Sequence, residues 1–385
     1  VTRPLIYLIA GEPSGDILAA RMMQALRQIG PVDFAGIGGE AMRAEGLSSL
    51  FPQADLAVMG FAEVVPRIPK ILARLRQTLE DISARQPDLI VTIDSWGFTG
   101  RVAARLKASG STIPRLHYVA PMVWAWKEKR ARQLALRVDR LLCLLPNEPG
   151  YFVRHGLPAV HVGHPVLERL GERGDGAAFR AKYGIPAEAP LLCLLPGSRQ
   201  SETSRLLPVF ATTAARLAQR IPDLRVVIPS VETVAAGVRH AISSWSVPSV
   251  VVDASDKWDC FATSRAALAA SGTVALELAV ARLPMVIAYR VAPMTAFMIR
   301  RLLTVRYVCL INLLLDRLVV PEYLQENCTA DQLLPATLAL FVDEAARQRQ
   351  LTGCADALDR LGIPGEPPSR RAALEALAMI KETRT

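Results

Sequence analysis

A chain of 385 residues that is 51% apolar and 21% charged folds around buried cores, and its length predicts two or three domains. The formal net charge of +9 asks for an anionic partner, and the lack of an aromatic–basic signature, helix-turn-helix or zinc spacing excludes nucleic acid and leaves phosphorylated substrates or a membrane surface. Six scattered cysteines without a C-x-x-C and five histidines without metal spacing predict buried reduced thiols, no metal site and no cofactor.

The chain opens on an apolar run at 5–10 and then breaks into Gly11, Glu12, Pro13, Ser14, Gly15 and Asp16. From 17 onward Leu18, Met22, Leu26 and Ile29 fall on one helical stripe. Strand, small-residue loop and helix in that order begin a doubly wound α/β domain, whose ligands bind beyond the carboxyl ends of the strands. Glu12 and Asp16 put two carboxylates in that loop; the plainer alternative is that Ser14 or Asp16 caps the helix. Strand-like runs recur at 32–36, 89–93, 113–119, 141–145 and 160–163, with helical patterns at 66–85, 98–109 and 125–138. A polar, Gly-rich stretch at 168–178 interrupts the alternation, which restarts at 191–195, 226–229, 250–253, 266–270 and 285–289. The tail is helical at 330–346, 355–361 and 369–381.

This pattern predicts an α/β fold of two doubly wound, Rossmann-like domains with mostly parallel sheets and a cleft between them. The domains are expected at 1–165, completed by a C-terminal helix at about 366–385, and at 166–365. No leader is read ahead of the first strand. The longest apolar run, 266–281, carries Glu277 and an internal Ser-Gly, so it does not read as a membrane span. The expectation is a cytoplasmic protein that touches a membrane peripherally.

Asp94 directly follows the strand-like run 89–93, where a carboxylate at a strand's carboxyl end can take a proton from a substrate hydroxyl. Capping of the next helix by Asp94 or Ser95 is the competing role. In the second half Gly197, Ser198 and Arg199 follow one strand, and Ser271, Gly272 and Thr273 follow another. Two small-residue loops at helix amino ends bind a diphosphate through backbone N–H groups, with Arg199 completing the charge. Glu277 lies one turn beyond Thr273 on the same helix face, suited to a nucleotide ribose. No GxxxxGK[ST] loop exists, and GIGG at 36–39 lacks the full dinucleotide fingerprint, which disfavours ATPase and dehydrogenase chemistry.

His117 reads as a satisfied strand histidine and as a rival base to Asp94, His164 as a packing residue at the domain break. Trp124 and Trp126, at the start of a basic helix, could line the cleft. Residues 61–82 carry an apolar stripe, Val64, Val65, Ile68, Leu72 and Leu75, interleaved with Arg67, Lys70, Arg74 and Arg76. Residues 293–306 repeat the mixture. Basic side chains beside apolar ones, rather than opposite them, predict contact with an anionic membrane surface.

Several longer stretches carry a family resemblance: AGEPSGD, LAVMGFAEV at 56–64, IDSWGF at 93–98, HYVAPMVWAW at 117–126, LLPGSR at 194–199, ASGTVALE at 270–277, PMVIAYR at 284–290 and NLLLDRLVVPEYLQE at 312–326. In this order, and almost end to end, they resemble lipid-A-disaccharide synthases. The resemblance implies a two-domain GT-B glycosyltransferase at the inner membrane of Gram-negative bacteria. It implies inverting transfer of 2,3-diacylglucosamine from UDP-2,3-diacylglucosamine to the 6-hydroxyl of 2,3-diacylglucosamine 1-phosphate, giving the β-1,6-linked disaccharide 1-phosphate and UDP. It places the family's essential aspartate on Asp94, its arginine on Arg199, its nucleotide motif on 271–277 and a donor-side asparagine on Asn312. Gln325 and Glu326 also fall in a family motif, and Glu12, Ser14, Gly15 and Asp16 in the acceptor-side loop. Many members carry a second acid three residues after the first; here that position is Gly97. A homodimer with an exchanged C-terminal segment is a further implication. The residues alone leave a UDP-N-acetylglucosamine epimerase or another lipid-linked sugar transferase open, since each uses this architecture and a UDP-sugar. From a different class, the alternative is an inactive peripheral-membrane protein that holds lipid and nucleotide.

Overall fold

The computed structural model describes residues 3–56, 61–121, 128–292, 296, 306–362 and 365–384, with the backbone alone at 61–67 and 128. The chain divides into two units, Val1–Glu168 joined by Ile363–Thr385, and Arg169–Gly362.

In the first unit six strands, β1 (Leu5–Ala10), β2 (Asp33–Ile37), β3 (Leu89–Ile93), β4 (Arg115–Tyr118), β5 (Arg140–Cys143) and β6 (Ala159–His161), form one sheet in the order β2-β1-β3-β4-β5-β6. Every pairing is parallel. Along β1, Ile6, Leu8 and Ala10 enter one core while Tyr7 and Ile9 enter the other, because successive strand residues point to opposite faces. Helices Pro13–Ile29 and Pro368–Arg384 supply residues to the first core, and Phe61–Arg85 and Trp96–Ala108 to the second. Burial on both faces is why β1 and β3 read as nearly continuous apolar runs.

The C-terminal helix is a working part of this unit. Its Ala372, Ala373, Ala376, Met379 and Ile380 are buried in the same core as Ala19, Met22, Met23 and Leu26 of the first helix. Small side chains let the two helices approach closely. Around the rim Arg140 reaches Glu375 at 3.1 Å and Glu382 at 2.9 Å, and Arg384 reaches Asp88 at 2.7 Å. Glu168 accepts the Ser369 N–H at 2.7 Å and pairs with Arg21 at 3.2 Å, which ties the end of the first segment to the returning one.

The second unit repeats the plan with β7 (Leu191–Leu195), β8 (Arg225–Ser230), β9 (Ser249–Asp253), β10 (Ala266–Ala270), β11 (Met285–Tyr289) and β12 (Glu322–Leu324), in the order β12-β11-β10-β7-β8-β9. These pairs too are parallel. Three details depart from the sequence pattern. Helix Gly176–Tyr183 begins inside the polar stretch, where Asp175 accepts the Ala178 N–H and Gly184 closes the helix in the left-handed region. β12 is only three residues long, too short for a periodic signal. The helix expected to run to 346 stops at Val342, because extended Asp343 caps a new helix, Glu344–Leu361, by accepting the Ala346 N–H. The separate helix expected at 355–361 is the end of that element.

Trp124, Trp126 and Lys127 lie outside the described residues, as does almost all of 293–306; so do the side chains of Val64, Val65 and Arg67. Among the described residues no helix is long and apolar enough to cross a membrane.

Candidate active site

Each sheet has one point where the chain reverses its direction of travel. In the second unit β7, β8 and β9 run outward, and the chain then returns to lay β10 on the other side of β7. The loops after β7 and β10 therefore flank the switch point, the place where doubly wound sheets bind ligands. Leu195 stands opposite Ala269, so the two loops leave the sheet side by side, strands being about 5 Å apart.

The first of these loops needs glycine at 197. Its φ is +106°, and a Cβ there would lie 2.3 Å from a Glu202 carboxylate oxygen. Ser198 and Arg199 are exposed, and Arg199 opens helix Gln200–Ala218. Glu202, which the sequence reading passed over, accepts the Ser198 N–H at 3.2 Å and pairs with the Arg199 guanidinium at 3.3 Å. In the second loop the Ser271 hydroxyl donates to the Val308 carbonyl at 3.2 Å, leaving Gly272 and Thr273 exposed. Glu277, half-buried on helix Val274–Val280, is held by Lys257, whose ammonium lies 2.9 and 2.8 Å from its two carboxylate oxygens. Lys257 lies 20 residues upstream and gave no local signal.

Asn312 has no solvent exposure. Its amide oxygen accepts the N–H groups of Val319 and Val320 at 2.8 and 2.9 Å, and its nitrogen donates to the Val320 carbonyl at 2.8 Å. The side chain expected on the donor side is thus engaged inside the fold. It works with Glu322, which accepts the Cys309 N–H at 2.7 Å and so shapes the segment that receives Ser271. Gln325, with φ +53°, accepts the Arg290 guanidinium at its carbonyl at 3.2 Å, while its side chain takes the Val291 N–H at 3.4 Å. Glu326 beside it is exposed.

In the first unit β2 lies on one side of β1 and β3 on the other, so the switch point is flanked by the loops after β1 and β3. They meet through glycine. A Cβ on Gly11 would sit 2.8 Å from the Cβ and Oγ of Ser95, and one on Gly15 would sit 3.4 Å from the Ile93 carbonyl. Asp94 and Ser95 both adopt left-handed φ, at 49° and 45°, and Val119 at the end of the neighbouring β4 has φ 82°. Strain of this kind persists only where surrounding contacts hold it, and it collects at functional sites. The contacts are visible: the Asp94 N–H donates to the Tyr118 carbonyl at 2.9 Å, and the Thr99 hydroxyl donates to the Asp94 carbonyl at 2.8 Å. Among the described residues the half-buried Asp94 carboxylate has no hydrogen-bond or ion-pair partner, and neither Asp94 nor Ser95 caps the following helix with its side chain. Gly97 is exposed, and a Cβ there would meet nothing within 4 Å, so a second acid at that position would stand in the open.

His117 is 1% exposed within β4, its Nδ1 2.8 Å from the Thr92 hydroxyl and its ring edge-on to Trp96 at 4.9 Å. Burial pushes its pKa down to about 3, so it is neutral but sealed from substrate. Asp16 is likewise engaged within the fold. It is 4% exposed and accepts the N–H groups of Gly39, Ala41 and Met42 at 2.7, 2.9 and 3.2 Å, satisfying the amino end of helix Glu40–Ala44. Glu12 is half-buried without a side-chain cap bond, Ser14 is exposed and Gly15 is buried. Beside this loop lies a cavity of about 1370 Å³, with Pro13, Ile17, Leu47, Leu50 and Phe51 in its lining.

On helix Phe61–Arg85 the expected stripe divides. Ile68 and Leu72 are 43% and 52% exposed, whereas Leu75 is 5% exposed and belongs to the core. Lys70 and Arg74 both reach Asp55, at 2.6 and 2.7 Å, which lowers the Asp55 pKa, with the Lys70 hydrogen bond the largest cause. Arg74 also lies over the Phe51 ring at 4.7 Å.

Two doubly wound parallel units, each with its loops gathered at the switch point, define a GT-B glycosyltransferase fold. Solved structures agree at the level of fold: the S. aureus MnaA–UDP co-structure (TM-score 0.66, 13% identity, 99% of this chain and 97% of that one) and the glycotransferase of kitacinnamycin (0.65, 15%, 99% and 100%). So does the UDP-GlcNAc 2-epimerase from Neisseria meningitidis bound to UDP-GlcNAc (0.63, 11%, 99% and 100%). The sequence is more specific. A family model described as lipid-A-disaccharide synthetase matches residues 6–363. The lipid-A-disaccharide synthase of Paramagnetospirillum magneticum is 57% identical over 98% of this chain and 98% of its own length, and that of Rhodospirillum centenum 52% over 98% and 94%. The chain belongs to the lipid-A-disaccharide synthase family, and its activity is that of this glycosyltransferase. The epimerase and inactive-protein alternatives are not favoured.

Proposed function

We propose that the enzyme transfers 2,3-diacylglucosamine from UDP-2,3-diacylglucosamine to the 6-hydroxyl of 2,3-diacylglucosamine 1-phosphate, with inversion, releasing UDP. The diphosphate binds Ser198, Arg199 and the 271–273 loop, and Glu277 takes the ribose hydroxyls. Charge-assisted contacts and backbone N–H groups stabilise the negative charge that develops on the departing UDP. Asp94 is the general base that accepts the proton of the attacking hydroxyl. Glu12 and Ser14 border the acceptor, with Gly11 and Gly15 bringing their loop against the Asp94 turn. The adjoining cavity receives acceptor acyl chain, while Gln325 and Glu326 lie on the donor side.

The observation that carries this reading is the pair of loops at each switch point. In one unit they hold an exposed arginine, and in the other a carboxylate without a partner among the described residues. Exposed Ile68 and Leu72 support peripheral attachment to anionic inner-membrane lipid from the cytoplasmic side. A homodimer with an exchanged C-terminal segment would fill the seat of helix Pro368–Arg384 from a second copy.

The test supplies the two lipid substrates and looks by mass spectrometry for the disaccharide 1-phosphate, with UDP release measured in parallel. Epimerisation of UDP-N-acetylglucosamine without disaccharide would replace this reading with the epimerase one. Binding of both lipids with no turnover would replace it with a binding protein.

A further inference from the structure

The ribose-binding role of Glu277 raises a difficulty that the structure answers. A carboxylate one helical turn from a loop that holds a diphosphate faces like charge, which repels the ligand it is meant to bind. Lys257 stands at that carboxylate. It opens helix Lys257–Thr263, an element separate from helix Val274–Val280, which carries Glu277. Its ammonium lies 2.9 and 2.8 Å from the two oxygens, and the two side chains are equally exposed, at 26% each. One cation shared by both oxygens ties the Glu277 carboxylate to a second helix. Each oxygen still keeps a lone pair, so two vicinal hydroxyls can be accepted at once.

We infer that Lys257 is a positioning residue for nucleotide recognition: it orients Glu277 toward the ribose diol and offsets the repulsion between that carboxylate and the diphosphate. The inference rests on the ribose reading of Glu277. It adds a basic residue without which Glu277 could not distinguish a ribonucleotide from one lacking its hydroxyls.

Calorimetry with UDP and 2′,3′-dideoxy-UDP separates the two claims. The intact enzyme should prefer UDP by about tenfold or more, and Glu277→Gln should reduce that preference to about twofold or less. Lys257→Met should reduce it equally, and Lys257→Arg, which keeps the charge and two donors, should restore most of it. Lys257→Gln serves in place of the Met variant if that chain does not fold with the intact enzyme's circular dichroism. If Glu277→Gln keeps the full preference, the ribose reading itself fails. If Glu277→Gln loses it while Lys257→Met and Lys257→Gln keep it, the inference alone is overturned. Lys257→Met should also bind both nucleotides more weakly, since each carries the diphosphate; unchanged affinity for 2′,3′-dideoxy-UDP in Lys257→Met would overturn the charge-offsetting role.

Discussion

At the scale of single residues the site is a set of charges held by backbone geometry. Arg199 projects from an exposed loop whose shape depends on Gly197, so Arg199→Ala removes charge and leaves the fold. A charge-assisted contact contributes about 1.5–3 kcal/mol, so UDP affinity in calorimetry should fall about tenfold or more. Asp94→Asn keeps the shape and removes the proposed base; kcat should drop by about 10²–10⁴ with UDP affinity nearly unchanged. If kcat survives that change, the carboxylate serves the turn and not the reaction. The placement of Asp94, Arg199 and Glu277 beside the switch points was legible because each follows an apolar strand by a short, countable interval. The hydrogen bonding of Asp16 and Asn312 was not legible, for the opposite reason. Their partners, Gly39 to Met42 and Val319 to Glu322, become partners only once the chain has folded back, and a polar side chain in a motif looks alike facing a ligand or a backbone N–H. Lys257 was invisible because nothing in a lysine 20 residues from a glutamate announces that the two will meet.

At the scale of elements the helix Phe61–Arg85 shows how a stripe can be half surface and half core. Leu75 packs into the core under the sheet, so Leu75→Ala should cost about 2–5 kcal/mol in denaturant unfolding of the first unit. Ile68 and Leu72 are one turn apart and exposed, so replacing both with Ser should leave stability nearly unchanged and reduce co-sedimentation with anionic vesicles. Equal sedimentation of the double variant and the parent would mean that this face does not meet lipid. Reversing Arg74 is a poor probe of the membrane, because it breaks the Asp55 pair and the stack on Phe51 as well. Periodicity revealed the helix here but not which apolar residue faces which way, since a stripe wide enough for a core also serves an interface.

At the scale of the whole molecule, buried neutral histidines set a pH response. His117 and His164 have pKa values pushed down by burial to about 3 and about 4, and the His164 Nδ1 accepts the Val166 N–H at 3.2 Å, which requires its unprotonated form. An unfolded histidine takes up its proton near pH 6.5, whereas the folded unit resists until far lower pH. The stabilisation is therefore whole above about pH 6.5 and is lost on acidification toward the folded values. Its slope is at most about 1.4 kcal/mol per pH unit for each histidine. The Tm of the first unit should fall between pH 6.5 and 4.5, and less steeply in His117→Gln; identical slopes would take His117 out of the response and leave it to His164 and other groups. The two doubly wound units were readable from the alternation of elements alone. The three-residue β12 and the junction at Asp343 were not, since one is below the length at which a period shows and the other depends on a single cap.

The return of the last helix to the first unit has a consequence for biosynthesis. The amino-terminal sheet leaves the ribosome first, but the core that holds Ala19, Met22, Met23 and Leu26 is completed by residues of helix Pro368–Arg384. Residues 169–362 are contiguous and can close their own unit while the earlier one waits. At about 5–20 residues per second the wait lasts on the order of ten seconds or more, during which an apolar surface stands open to chaperones or to a neighbouring nascent chain. A chain cut after Gly362 would thus carry the whole second unit beside a first one that lacks its last helix.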